Sequence, residues 1–146
     1  MVTERGEILS LDYGRSTRLI ARLAEGVTHE ESLLQLPFKA NCFNWVLGHI
    51  VAGRHMALEA LGGAALWDEE TVARYRGGSP PIISGEGARP LEKLLADLHE
   101  SQERLAEALN GCTAEDLARV VGAGEDAEPL WQLLAGRRWH ESYHIG

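Results

Sequence analysis

The sequence predicts an all-α protein, a four-helix bundle with short linking helices, folded as one domain over residues 1–146. Three observations carry this. Four long segments repeat apolar residues three or four apart, the spacing of one helix face. No segment alternates apolar and polar residues as a half-buried strand would. Glycine and proline fall between the segments, where they punctuate helices.

The first helix is expected from about Glu7 to Glu25, with Leu9, Tyr13, Ile20 and Leu23 on its buried face and Gly26 as its stop. Gly14 is a poor helix former within it. Thr28 with Glu31 makes a capping-box pattern and predicts a short helix next. The second long helix is expected from about Asn41 to Leu61, ending at Gly62-Gly63. Its stripe is Phe43, Leu47, Ile50, Ala57 and Leu61, and Gly48, Ala52 and Gly53 would let a neighbour approach closely. A long connection, Gly62 to Arg89, follows. It holds a helical patch, Asp68–Tyr75, and then the Gly/Pro-rich RGGSPPIISGEGARP. Connections this long in compact domains are usually functional or mobile; this one reads equally as a pocket rim or a plain loop.

The third helix starts at Pro90, a residue suited to a first turn, and ends at Asn110-Gly111. Leu91, Leu94, Leu95, Leu98, Leu105 and Leu109 make its stripe the clearest in the chain. Thr113 with Asp116 predicts a second short capped helix. The fourth long helix starts at Pro129 and runs through Leu130, Leu133 and Leu134 to the end.

Composition excludes more than it identifies. Hydrophobic residues make up 45% and charged residues 25% of the chain, ordinary values for a globular protein. With 22 acidic against 14 Lys/Arg residues the net charge is −8. Nucleic-acid binding needs a basic surface that displaces counterions from phosphates, so nucleic acid is not an expected partner, nor is a membrane. Arg74–Arg76 and Arg137-Arg138 are flanked by acids and read as solvated helix faces. MVTERGEILSLD lacks the apolar segment of a signal peptide, and two cysteines, Cys42 and Cys112, are too few for a disulfide scaffold. A cytoplasmic location is expected. Both cysteines read best as inert free thiols.

The histidines carry the chemistry. There are 6, His29, His49, His55, His99, His140 and His144. A four-apart pair arises by chance roughly one time in five in such a set, so His140/His144 is a weak signal by spacing alone. Its placement strengthens it. Residues four apart lie on one face, one turn apart, and two imidazoles so placed can converge on one ion. On the wheel His144 falls beside Leu133 within the buried stripe and His140 at its edge, so both are expected to point between helices. A metal would satisfy nitrogens that burial would otherwise leave unpaired, at about 1–3 kcal/mol each. Hydrogen-bonded core histidines are the competing reading, and spacing does not separate the two. His49, flanked on its helix by Trp45, Ala52, Gly53 and Met56, is the best third ligand. His29, His55 and His99 are expected at the surface. Glu141 projects near the centre of the buried stripe, an unusual place for a carboxylate. It is the candidate catalytic residue, orienting a ligand or acting as general base; an ion pair with Arg137, four residues earlier, is the more ordinary reading.

NWVLGHI, WDEETVARYRGGSPP and WHESYHIG, in this order and at these separations, resemble the DinB/YfiT-like superfamily over nearly the whole chain. The resemblance implies a four-helix bundle, often a homodimer, with a metal on one histidine of the second helix and two of the last. By position these are His49, His140 and His144. Some members are thiol-dependent S-transferases using bacillithiol, and a related branch uses mycothiol for maleylpyruvate isomerisation; many have no established activity.

Three imidazoles leave one open position on a tetrahedral ion, the mark of a catalytic site. All-imidazole ligation suits zinc, nickel, iron or copper, with zinc or nickel the expected cofactor. The residues do not decide between water and thiolate activation. The resemblance implies a low-molecular-weight thiol as cosubstrate and a small molecule as substrate, so the expected function is a metal-dependent enzyme, a thiol-dependent S-transferase. The alternatives are a metal-containing binding protein without turnover and a metal-dependent hydrolase. No Ser-His-Asp set, phosphate-cradling glycine loop or telling carboxylate pair offers another chemistry, so any chemistry should be the metal's.

Overall fold

Thr3 opens the first helix by accepting the Gly6 N–H, and Glu4 and Glu7 sit in the first turn, where the helix dipole favours acids. The structure, a computed structural model, describes residues 3–146; the reading of the extreme N-terminus falls partly on Met1 and Val2, outside them. Helix α1 spans Glu4–Leu23, a turn earlier than expected because Thr3 supplies a cap that apolar spacing does not reveal. It stops short of Gly26, whose φ of 78° takes the chain into the next turn. Leu23, expected in the buried stripe, is 54% exposed.

Helix α2 (His29–Ser32) and helix α6 (Ala114–Ala118) both form behind complete capping boxes, Thr28 with Glu31 and Thr113 with Asp116. Helix α3 covers Phe43–Ala60, α4 Glu69–Tyr75, α5 Leu91–Gly111 and α7 Leu130–Ile145. Between α6 and α7 lies an element the sequence reading did not expect, an antiparallel pair of two-residue strands, β1 (Val120–Val121) and β2 (Glu128–Pro129). They are too short for alternation to register.

The fold is mostly helical. Helix α1 packs on α5 and α7, and α3 packs on the same two. The buried apolar residues form two clusters. One centres on Trp45, Leu47, Val51, Tyr75, Leu94 and Leu98, and the other on Tyr13, Leu58, Leu105, Leu109, Leu130 and Leu134. Between them, each long helix contributes buried polar groups: Ser16 and Thr17, Arg54, Ser101, and Glu141. The core is therefore layered, apolar, polar, apolar.

Gly48 lets α4 reach α3. A Cβ there would lie 2.1 Å from the Tyr75 ring, so no side chain fits. The Tyr75 hydroxyl donates to Asn44 Oδ1 at 2.9 Å and accepts the Arg89 N–H at 2.7 Å, tying the long connection to α3 at both ends. Gly53, expected to admit a neighbour too, faces open space. No helix among the described residues is long and apolar enough to cross a membrane.

Candidate metal centre

His49 occupies the middle of α3, where the end of α4 comes down on it. Its Nδ1 lies 2.8 Å from the Tyr75 carbonyl oxygen. A carbonyl only accepts, so Nδ1 carries the proton and Nε2 presents a lone pair. Trp45, one turn earlier, stacks on the ring with centroids 4.7 Å apart and planes 14° from parallel. The Trp45 Nε1–H donates in turn to Ser79 Oγ at 2.9 Å. Tautomer and ring plane of His49 are thus set by its own helix and the long connection. These contacts aim the Nε2 lone pair outward.

The two histidines of α7 meet it there. His49 Nε2 lies 3.0 Å from His140 Nε2, which lies 2.9 Å from His144 Nε2. With His49 protonated on Nδ1, no arrangement of neutral imidazole protons makes two full hydrogen bonds of these two contacts. A proton on His140 Nε2 can serve both only by splitting. If His140 instead accepts from His144, two lone pairs face each other across the His49 contact. Adding a proton is disfavoured as well. His140 is held below the usual imidazole range by partial burial first, then by the neighbouring His49 and Arg137 charges. His144 is pushed down to about 4 by burial first, then by His49 and His140. A cation other than a proton resolves the conflict. Nitrogens about 2.0–2.1 Å from a shared tetrahedral ion stand roughly 3.3 Å apart. The three ligand atoms all lie within 4.8 Å of one another, so the donor set fits a divalent metal with small ring movements.

The trio is more open than expected. His140 is exposed and His49 and His144 are half-buried, because the cluster closes over the edge of the α3–α7 seam and not inside it. One cleft beside it, about 330 Å³, is lined by His49, Ile50, Leu133, Arg137 and His140 among others. A second, apolar cleft of about 310 Å³ reaches His144 from the side of Ile20, Phe43 and Leu47. The long connection comes close to the trio, since a Cβ at Gly77 would lie 3.6 Å from His49 Cε1, but none of its residues lines either cleft.

Glu141 does not pair with Arg137. Its carboxylate takes Arg54 Nε at 2.8 Å on one oxygen, and Arg54 Nη2 at 3.1 Å and the Ser16 hydroxyl at 2.8 Å on the other. Arg54, wholly buried, also donates to Thr17 Oγ1, Leu98 O and Tyr13 O. Sequence reasoning missed Arg54 because an arginine on an apolar helix has no distinguishing spacing. The misplaced carboxylate was its signal, since a buried Glu requires a buried cation.

His55 also departs from expectation. It is buried, and its Nδ1 accepts the backbone N–H groups of Leu66 and Trp67, both at 3.2 Å. The chain turns back after Gly62 and uses the ring to satisfy that turn. His99 is exposed as expected, while His29 is half-buried and accepts the Leu91 N–H at 3.3 Å. Cys42 is buried, its thiol 3.4 Å from the Ile82 carbonyl, and burial pushes the Cys112 thiol up, away from thiolate character.

Residues 13–143 match the family model described as the mycothiol maleylpyruvate isomerase N-terminal domain. No curated protein matches the sequence.

Proposed function

The chain belongs to the family of mycothiol maleylpyruvate isomerase N-terminal domains, within the DinB/YfiT-like superfamily, and on that premise we propose that it is a metal-dependent thiol S-transferase. The observation that carries the reading is the convergence of His49, His140 and His144 Nε2 atoms beside a cleft. The four long helices are read as the bundle that presents these ligands, and zinc or nickel as the ion. A divalent ion held there would supply Lewis acidity and favour the thiolate form of a low-molecular-weight thiol.

The chain's own residues do the rest. Tyr75 O and Trp45 hold His49 in one tautomer and one plane. Ile50 and Leu133 give the cleft apolar walls that exclude water from a small electrophile. Glu141 acts as a positioning residue in this reading. Anchored to Arg54, it ties α7 to α3 one residue from His140, fixing how the helices present their ligands.

Two measurements test the proposal in sequence. Elemental analysis of untagged protein is expected to find about one divalent ion per chain. A model electrophile is then offered with bacillithiol, mycothiol or glutathione to metal-loaded and to chelated protein. Faster conjugation by the loaded form is expected with at least one thiol. Equal rates with all three would remove the transferase reading and leave a binding protein without turnover or a metal-dependent hydrolase.

A further inference from the structure

Helix α7 turns a second set of side chains towards α1. Trp131, Arg138, Trp139 and Ser142 share one face of the helix, opposite to His140 and His144. With Arg5 and Ile8 of α1 they line a groove of about 410 Å³. None of its lining residues belongs to the clefts beside the histidines.

The protein carries a net charge of −8, yet this groove is cationic. Arg5 sits over the Trp131 ring, its guanidinium carbon 4.8 Å from the centroid. That attraction is to the π face of the ring and leaves the guanidinium N–H donors unspent. Arg138, expected on a solvated face, is half-buried and pinned. Its Nε donates to the Asp12 carbonyl oxygen at 2.9 Å and its Nη1 to Ser142 Oγ. Both partners are neutral, so they leave its charge unanswered. Among the described residues no carboxylate lies within ion-pair distance of either arginine. Asp12, the acid among the described lining residues, pairs with Arg15 at 3.1 Å.

Trp139 and Ile8 supply apolar surface to the same groove and are 69% and 51% exposed. Open indole surface beside two unanswered guanidiniums defines a ligand with a flat ring and a doubly charged anionic end. A phosphate monoester brings nearly two negative charges and several acceptor oxygens, which two planar guanidiniums match. The groove's volume lies in the range of small-molecule sites and has room for a ring with its phosphate.

We propose that the groove between α1 and α7 binds a small aromatic phosphate, with Trp139 as its stacking surface and Arg5 and Arg138 as its charge partners. The site is separate from the metal centre and does not depend on the reaction proposed there.

Phenyl phosphate is titrated by calorimetry into the wild type as purified and again with chelator present. Phenol and cyclohexyl phosphate serve as the uncharged and the non-aromatic control. Saturable binding of phenyl phosphate, unchanged by chelator, is expected. Phenol should not bind measurably, and cyclohexyl phosphate should bind about tenfold more weakly. Trp139→Ala and Arg5→Gln, both at exposed positions, should each weaken phenyl phosphate binding about tenfold. Both variants should keep the melting point and metal content of the wild type. Binding abolished by chelator would put the phosphate on an ion at the histidines and overturn the proposal. So would equal binding of either control, undiminished binding by Trp139→Ala or Arg5→Gln, or no binding by the wild type. A wild-type dimer that Trp139→Ala turns into a monomer in light scattering would seat a second copy in the groove, and that too would overturn it.

Discussion

Helices α3 and α7 carry two polar clusters side by side, built on opposite principles. Arg54 and Glu141 form one, and His49, His140 and His144 the other; Glu141 and His140 are adjacent in sequence. In the first, opposite charges meet fork to carboxylate, hydroxyls and carbonyls of α1 and α5 take up the remaining arginine donors, and the Ser16 hydroxyl donates to the carboxylate. It is dry and closed. In the second, three lone-pair nitrogens converge with one proton too few to join them, at the open edge of the seam. Burial of polar groups does not by itself mark a functional site. Unmatched hydrogen bonding distinguishes the two: the closed cluster pairs its own donors and acceptors, and the open one presents a donor set compatible with a divalent ion.

The strongest way to break this contrast is to remove one member of each cluster in metal-free protein. Glu141→Ala leaves the Arg54 guanidinium buried and unpaired, and a loss of about 3–5 kcal/mol is expected. Replacing both partners, as Arg54→Met with Glu141→Leu, should recover most of that, because a well-packed apolar pair needs no counter-charge. His144→Ala should change stability by less than about 1 kcal/mol, since it relieves crowding as it removes contact. Urea unfolding with chelator present measures all three. A His144→Ala loss as large as that of Glu141→Ala would show the histidines to be core residues.

The two clusters were also unequally legible in the sequence. The His140/His144 pair and His49 lie on helices whose apolar periodicity is strong, so their convergence could be anticipated from helix geometry and from the motifs that resemble a family. The closed cluster was half visible. Glu141 pointed inward on the wheel, but its partner lies 87 positions away on another helix, and local spacing offered Arg137 instead. Helix existence was legible throughout, while ends set by side-chain capping shifted, as at Thr3. His55 was misplaced because a wheel describes one helix alone, and the chain that buries His55 returns from beyond Gly62.

Adding a divalent cation should sharpen the contrast from the other side. Zinc at about 100 times its dissociation constant is expected to stabilise the wild type by about 2.7 kcal/mol, and the gain should grow with zinc concentration. His140→Ala, which removes the nitrogen between the other two, should abolish most of that gain. Thermal unfolding across a zinc titration reads both. A gain that His140→Ala leaves intact would place the ion elsewhere.

The smallest expected effect separates the clusters by acid. The His144 imidazole is pushed down to about 4 by burial and by its two histidine neighbours, and His140 is lowered in the same direction. In the unfolded chain both return to about 6.5. Between those limits the unfolded state binds protons that the folded state refuses, so acid favours unfolding. The contribution is complete above about pH 6.5, is lost as the pH falls towards 4, and flattens below that. The capping carboxylates Asp68 and Asp116 are lowered by their own helix-start hydrogen bonds, so their contribution is lost from the usual carboxylate range downward and meets this window only at its acid end. Because the histidines are partly exposed, solvent screening makes the slope shallower than the shifts alone would suggest. His144→Ala should flatten it further in metal-free protein. Parallel traces for wild type and His144→Ala between pH 6.5 and 4 would show that the crowding of the three nitrogens carries no electrostatic weight.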